Sequence, residues 1–249
     1  MITKRKITQS LDNPDSKRAL NKDLFTLVAR KYGSVTKLLS FGFDDIWKKA
    51  LVQQLPPINA PQCIDLACGT GDICALLAER YPEGHIMGVD ITPAMLAVAV
   101  DKNNAKNISY IQADMTKPPV ADGTIDIVTG GYALRNAPNL DEVLQTVWNK
   151  LKPGGVATFL DFSKSDELNE QRWQIRLLTF WTGVCSLIIH ANPVIHNYIP
   201  ESLKAFPTRK ALQERIERLG FVHYTCRYYS QGFIAEISFM KPNLFNHVP

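Results

Sequence analysis

The chain has 249 residues, 45% of them hydrophobic, which is enough to fill the core of one large α/β domain or of two small ones. Its 28 basic and 24 acidic residues leave a net charge of +4, and the basic side chains are scattered beyond the first turns. So weak a positive balance gives no indication of nucleic acid as a partner. The five cysteines show no Cys-x-x-Cys spacing, which indicates buried thiols in a reducing compartment and implies neither a disulfide framework nor a zinc site.

The start of the chain is positively charged but no apolar run follows it, so it does not resemble a secretory signal. Asp12 and Asp15 argue against a transit peptide. The longest uncharged apolar stretch, residues 177–189, has 13 residues, fewer than the ~20 that a membrane-spanning helix needs. We therefore expect a cytoplasmic protein, and a peripheral contact with a membrane stays open.

We expect the chain to divide into an N-terminal helical segment, residues 1–60, and a larger domain, residues 61–249. Residues 1–20 are polar and are expected to be irregular, whereas apolar residues recur at helical spacing from about residue 24 to residue 55. Pro56, Pro57 and Pro61 then mark a boundary. Beyond it, strand-like runs alternate with helical patterns, which predicts a parallel sheet with helices on both faces. The predicted strands are 63–67, 85–89, 109–112, 125–129, 156–160, 222–229 and 232–239.

Local residues predict where some of these elements begin and end. Thr92 before Pro93 is typical of a helix start, and so is Thr208, while Gly220 is typical of a helix end. The last two strands are separated by a short polar turn at residues 230–231 and should form an antiparallel hairpin at one edge of the sheet.

Residues from about 164 to 206 form an insertion before the last helix that is longer than a simple crossover requires. Apolar residues recur in it at helical spacing: Trp173, Leu177, Phe180, Trp181, Val184 and Ile188. Such a stripe usually faces a core. The alternative interpretation is a helical lid over an apolar substrate pocket.

A glycine-rich loop follows the first predicted strand of the larger domain. It reads Asp-Leu-Ala-Cys-Gly-Thr-Gly-Asp over residues 65–72 and precedes a helical pattern. Gly69 and Gly71 let the backbone turn sharply and approach a ligand at the helix N-terminus. A nicotinamide-binding fingerprint would need a third Gly or Ala where Cys74 stands.

Acidic residues end the next two predicted strands. Asp90 falls 19 residues after Gly71, near the ~20 spacing at which a carboxylate accepts ribose hydroxyls. Asp114 could accept a hydrogen bond from an adenine amine, with Met115 covering the ring. A Pro-Gly-Gly turn at residues 153–155 precedes the fifth strand. Each aspartate alone is more often a turn residue, but this order of features resembles a class I methyltransferase domain, whose seven-stranded Rossmann-like sheet has one antiparallel strand.

A more specific resemblance lies in Val-Thr-Gly-Gly-Tyr-Ala-Leu-Arg-Asn at residues 128–136. This segment resembles the signature of the menaquinone/ubiquinone biosynthesis C-methyltransferase family, and the likeness extends over nearly the whole chain through segments 29–32, 39–42, 47–48, 198–202 and 206–207. Gly33, Thr36 and Asp44 stand where the family usually has Asp, Asn and His. These departures lie on the expected substrate side and concern the identity of the quinone.

The resemblance implies a site that binds S-adenosylmethionine and a lipid-soluble quinol, with no metal. The implied cofactor residues are Gly69, Thr70, Gly71, Asp90, Ile91, Asp114, Met115 and Gly131. Tyr32, Arg135 and Asn136 are implied to face the substrate ring. The oligomeric state stays open, a homodimer being one option.

Methylation at carbon requires an electron-rich ring, which the quinol provides once a hydroxyl with a pKa of ~10 loses its proton. Arg135 stays charged and is no base itself, but it can stabilise the oxyanion and polarise a water while Asn136 and Tyr32 orient the ring. His190 and His196 are alternative bases. Arg135 could instead be the salt-bridge partner of a loop carboxylate, which its Tyr-Ala-Leu-Arg-Asn context disfavours.

Three other functions stay open. A nicotinamide oxidoreductase is disfavoured by Cys74 and by the lack of a Tyr-x-x-x-Lys pair. A non-catalytic subunit is disfavoured by the complete loop at residues 65–72. A methyltransferase for another phenolic compound is the nearest enzyme alternative.

Overall fold

A computed structural model describes residues 4–189 and 193–243 of the chain. Within these residues, seven strands form one mixed sheet. The strands are β1 (Gln62–Leu66), β2 (His85–Asp90), β3 (Ile108–Gln112), β4 (Ile125–Gly131), β5 (Leu151–Phe162), β6 (Val222–Tyr229) and β7 (Ile234–Met240). Their order is β3-β2-β1-β4-β5-β7-β6, and β7 runs antiparallel to both of its neighbours while the other pairs are parallel. The predicted fold class and the C-terminal hairpin are confirmed.

Helices surround this sheet. They are α1 (Lys4–Leu11), α2 (Pro14–Val28), α3 (Tyr32–Leu39), α4 (Asp44–Gln53), α5 (Asp72–Arg80), α6 (Pro93–Lys102), α7 (Ala133–Asn136), α8 (Leu140–Lys150), α9 (Leu168–Ile189), α10 (Pro193–Ala205) and α11 (Arg209–Arg218).

Two apolar clusters cover the two faces of the sheet. Ile127 packs in one cluster with Leu51 of α4 and Leu77 of α5. Its neighbour Val128 packs in the other, with Val143 of α8. Successive strand residues point to opposite faces, so the helices cover both sides, as the alternating sequence pattern predicted.

Strand and helix ends follow the local signals with small shifts. β5 begins at Leu151, ahead of the Pro-Gly-Gly turn, and the turn forms a bulge because Ile125 pairs with Leu151 and Ile127 with Val156. Gly154 has a φ of +79°, which glycine adopts without strain. Thr208 caps α11 by accepting a hydrogen bond from the Ala211 N–H.

The expectation that residues 1–20 are irregular was wrong, because α1 and α2 occupy most of them. The side chain of Asn13 caps α2 by accepting a hydrogen bond from the Ser16 N–H. Ile7 and Leu20 pack with Tyr198 of α10. Short polar helices gain their stability from such tertiary packing rather than from propensity, so the local sequence did not indicate them.

The insertion at residues 164–206 consists mainly of the two helices α9 and α10. Leu178 and Cys185 of α9 are buried, whereas Trp173, Leu177 and Phe180 are exposed. The predicted stripe is therefore not a plain core face. Among the described residues, no helix combines the length and the apolar character that crossing a membrane would require.

Candidate active site

The parallel strands β1, β2, β3 and β4 end at the same edge of the sheet, where the strand order reverses between β1 and β4. Ligands bind at such reversal points in open α/β sheets. A cleft at this edge is lined by most of the predicted cofactor residues: Gly69, Asp90, Ile91, Asp114, Met115 and Gly131. Thr70 lines a smaller cleft that shares Gly69 and Gly131 with the first.

Gly71 lines neither cleft, but it shapes the glycine-rich loop at residues 65–72. It lies at the start of α5 with a φ of +77°, and a Cβ there would stand 2.3 Å from the hydroxyl oxygen of Tyr110. A side chain at this position would therefore both strain the backbone and clash. The glycine is required by the turn, as the sequence indicated.

The carboxylate of Asp90 is held in place by the backbone. Its Oδ2 accepts a hydrogen bond from the Gly69 N–H at 2.9 Å, and its Oδ1 accepts one from the Thr92 N–H at 2.8 Å. Burial raises the pKa of Asp90, and these two N–H donors oppose that rise. Each oxygen keeps a further lone pair for a ribose hydroxyl. The hydroxyl of Thr92, in the same cleft, also stabilises the Asp90 carboxylate, so the cleft presents polar groups that fit a nucleoside.

Asp114 is paired with a residue that the sequence reasoning missed. Its Oδ2 accepts a hydrogen bond from Nε of Arg18 in α2, and its Oδ1 accepts bonds from the N–H and the hydroxyl of Thr116. Burial opposes ionisation, but the Thr116 and Arg18 donors hold the pKa of Asp114 below its usual range. An adenine amine would therefore share this carboxylate with Arg18, which lines the cleft too. Nothing in the sequence near Arg18 indicated this.

The smaller cleft is rich in charge. Its lining includes Lys48 of α4, Asp65 at the end of β1, and Asp72 at the start of α5. Asp65 accepts a hydrogen bond from the Thr129 hydroxyl at 2.8 Å, and burial raises its pKa to about 6. Segment 47–48 carries part of the family resemblance, but nothing in the sequence indicated that Lys48 belongs to the site.

A large apolar cavity of about 330 Å³ adjoins both clefts. Its apolar lining comes from α2, α3 and α9 and includes Leu24, Phe25, Leu39, Leu177 and Trp181. Tyr32, Arg135 and Asn136, the predicted substrate residues, line it as well. Tyr32 and Tyr132 border the cavity and both clefts. The place where the cavity meets the clefts, at these two rings, is called the junction below.

Arg135 is buried at this junction and is paired with Asp161 of β5. The Arg135 N–H donates to Asp161 Oδ2 at 2.9 Å, and the guanidinium Nε lies 3.6 Å from Asp161 Oδ1. The guanidinium also donates to the Ser202 hydroxyl and lies over the Phe162 ring, 5.0 Å from its centroid. Arg135 is therefore both an ion-pair partner and part of the cavity wall.

Asn136 belongs to a buried polar network. Its amide donates to the Tyr132 carbonyl at 2.7 Å. The Tyr198 hydroxyl, which has one proton to donate, lies 2.8 Å from Asn136 Oδ1 and 2.6 Å from Asn21 Oδ1. Asn21 of α2 donates to the Asn136 carbonyl at 2.7 Å. These bonds fix the orientation of the Asn136 side chain.

Tyr32 and the two histidines differ as candidates for proton transfer. Burial raises the pKa of Tyr32 to about 12, which keeps its hydroxyl protonated at neutral pH. The alternative base His190 lies outside the described residues, and so does the side chain of His196.

Comparisons with known proteins point to one family. The sequence model of the ubiE/COQ5 methyltransferase family matches residues 13–241. A demethylmenaquinone methyltransferase from Thermus thermophilus is 32% identical over 80% of this chain and 91% of its own. The ubiquinone/menaquinone biosynthesis C-methyltransferase UbiE of Pseudomonas putida is 30% identical over 93% of each chain. Among solved structures, a SAM-dependent methyltransferase from Aquifex aeolicus superposes with a TM-score of 0.61 at 14% identity, covering 84% of this chain and 97% of that one, which shows the fold.

Proposed function

Since the chain belongs to the ubiE/COQ5 methyltransferase family, we propose that it transfers the methyl group of S-adenosylmethionine to a ring carbon of a polyprenylated quinol in menaquinone or ubiquinone biosynthesis. One observation supports this substrate above all: an apolar cavity of about 330 Å³ meets the cofactor clefts at Tyr32 and Tyr132. Such a cavity suits a ring that carries a hydrocarbon tail, because burial of apolar surface favours binding.

The site residues support separate roles on the cofactor side and on the substrate side. Bound S-adenosylmethionine supplies an electrophilic methyl group on its sulfonium. Asp90 and Asp114 hold its nucleoside, with Gly69, Ile91, Met115 and Gly131 around it, while Thr70 lies toward its amino-acid end. This arrangement would place the methyl group near the junction, where positioning supplies much of the rate.

Arg135 and its neighbours act on the substrate side. With the described residues, the guanidinium makes one side-chain hydrogen bond, to Ser202, out of the five N–H donors that it carries. Its Nε faces Asp161, and its other free N–H donors can stabilise the phenolate oxygen of the quinol or orient a water that accepts the proton. The Asn136 network and the protonated Tyr32 hydroxyl orient the ring.

The N-terminal segment and the insertion together enclose the cavity. Leu24, Phe25 and Leu39 come from residues 1–60, and Leu177, Trp181 and Ile199 come from residues 164–206. These contacts support the division of the chain into a substrate-side segment and a methyltransferase domain with a helical lid.

The rim of the cavity supports a peripheral contact with a membrane. Phe41 and Phe180 line the cavity, yet their exposed fractions are 69% and 68%. Phe41 stacks on Trp181 with ring centroids 4.4 Å apart. The exposed side chains of Arg172 and Arg176 lie on α9, the helix that carries Phe180. They would attract anionic lipid. A lipid-soluble quinol could thus enter from the membrane surface.

The proposal is tested by incubating the pure protein with methyl-labelled S-adenosylmethionine and detergent-solubilised quinol. One reaction contains reduced demethylmenaquinol and another a methoxy-benzoquinol, each with a short prenyl tail, and the oxidised quinones are controls. We expect label in the lipid extract with at least one quinol and far less with the quinones. No transfer to either quinol would contradict the proposed substrate class.

A further inference from the structure

Lys48 of α4 is a buried cation whose surroundings point to a ligand. Its side chain is only 6% exposed, and Nζ lies 2.6 Å from Asp44 Oδ2 and 3.0 Å from Asp72 Oδ2. Burial alone lowers the pKa of Lys48, but the two carboxylates outweigh it and raise the pKa above its usual range. The ammonium group therefore stays charged.

Lys48 has one more N–H donor than these two contacts use. An ammonium group has three N–H donors, and Asp44 and Asp72 account for two of them among the described residues. Lys48 also lines the smaller cleft, beside Thr70 and Gly69. One donor thus remains for a group bound in that cleft.

The charge around this cleft suits the amino-acid end of S-adenosylmethionine. Asp65 and Asp72 line the cleft, and Asp44 lies behind Lys48. These acids favour a ligand with a sulfonium and an ammonium group, but they repel its carboxylate. Of the described residues that line this cleft, Lys48 alone is a cation.

The position of the nucleoside gives the direction of the cofactor. Asp90 and Asp114 line the larger cleft, and Gly69 and Gly131 border both clefts. A cofactor with its adenosine at Asp90 therefore extends past Gly69 toward Thr70 and Lys48. We propose that Lys48 binds the α-carboxylate of S-adenosylmethionine, so that the N-terminal segment completes the cofactor site as well as the substrate cavity.

This assignment also connects the two ligands. Asp44 pairs with Lys48 and accepts a hydrogen bond from the Tyr132 hydroxyl at 2.7 Å, and Tyr132 forms part of the cavity wall. A carboxylate bound at Lys48 would thus be connected, through Lys48 and Asp44, to the Tyr132 ring that borders the substrate cavity.

The test compares two ligands that differ only in the α-carboxylate: S-adenosylmethionine and decarboxylated S-adenosylmethionine. Calorimetric titration of Lys48→Met should show a roughly 10- to 100-fold loss of affinity for the first, the scale expected for a hydrogen bond to a charged group. The affinity for the second should change by less than about 3-fold, because that ligand lacks the group that Lys48 binds. Lys48→Arg should restore much of the loss. Lys49→Met, at an exposed position of the same helix, is the matched control and should bind both ligands like the wild type.

A second variant covers the case in which Lys48→Met leaves Asp44 unpaired and fails to fold. In Lys48→Met/Asp44→Asn both charges of the buried pair are removed and an oxygen remains for Tyr132, a change that proteins often tolerate. It should show the same selective loss. Equal weakening of both ligands, or unchanged affinity for S-adenosylmethionine in a folded variant, would overturn the assignment. No quinol enters these titrations, so their outcome is independent of the proposed substrate.

Discussion

The backbone N–H of Arg135 donates to Asp161 Oδ2 at 2.9 Å, and the guanidinium of the same residue lies 3.6 Å from the other oxygen of that carboxylate. Asp161 is fully buried, and burial raises its pKa while Arg135 lowers it. The pair holds α7, which follows β4, against the end of β5. It also places a cation in the wall of the apolar cavity.

Replacing Arg135 by Lys should separate catalysis from cofactor binding. Lysine keeps the charge beside Asp161 but loses the planar fork that can hold an oxyanion. We expect kcat to fall ~10²-fold or more, with little change in the affinity for S-adenosylmethionine measured by calorimetry. Arg218→Lys, at an exposed site, is the control. Wild-type turnover, or a loss of cofactor affinity as large as the loss of activity, would make Arg135 a structural residue and direct attention to His190 and His196.

Replacing Asp90 by Ala should weaken cofactor binding. The carboxylate has lone pairs for the ribose, and it also holds the N–H groups of Gly69 and Thr92. We expect a loss of ~1.5–3 kcal/mol in the binding free energy of S-adenosylmethionine, as for a hydrogen bond to a charged group. Asp101→Ala, on the exposed side of α6, should bind normally. Unchanged affinity in a folded Asp90→Ala protein would refute the ribose assignment.

Asp65 should make the stability of the ligand-free protein depend on pH. Burial raises its pKa in the folded state to about 6, above its value of ~3.9 in an unfolded chain. Its contribution to folding is therefore fully present below about pH 4 and is lost as the pH rises through about 6. Asp65→Asn keeps an oxygen for the Thr129 hydroxyl and has no charge to bury.

Urea unfolding at pH 4.5 and at pH 7.5 measures this effect. The free energy of unfolding of Asp65→Asn minus that of the wild type should be larger at pH 7.5 than at pH 4.5. The exposed Asp101→Asn should show no such difference. If the stability difference between Asp65→Asn and the wild type is the same at both pH values, Asp65 does not titrate as described.

The aromatic rim of the cavity should control binding to lipid. Phe41→Gln/Phe180→Gln should reduce sedimentation with anionic liposomes several-fold, because both side chains are exposed at the cavity mouth. Trp181 is a poorer target, since its indole donates to the Leu39 carbonyl and its loss would disturb the fold. Val100→Gln alters an exposed apolar residue outside the rim and is the control. Wild-type protein that never sediments with liposomes would exclude this contact.

The sequence predicted those parts of the candidate site whose signals are local. The loop of Gly69 and Gly71 and the aspartates at the ends of β2 and β3 each stand in a short pattern with a physical reason. Arg18, Lys48 and Asp161 were missed, because packing brings them to the site from α2, α4 and the end of β5. Likewise α1 and α2 depend on contacts with Tyr198, far along the chain. No local pattern indicated that these residues belong to the candidate site or to a helix.

The position of the transferred methyl group tests the central claim most directly. The protein would be incubated with S-adenosylmethionine carrying a ¹³C-labelled methyl group and with the better of the two quinols, and the product would be examined by carbon NMR and mass spectrometry. We predict one labelled methyl group per product molecule, bonded to a ring carbon. Label on a ring oxygen, or no labelled product, would contradict C-methylation.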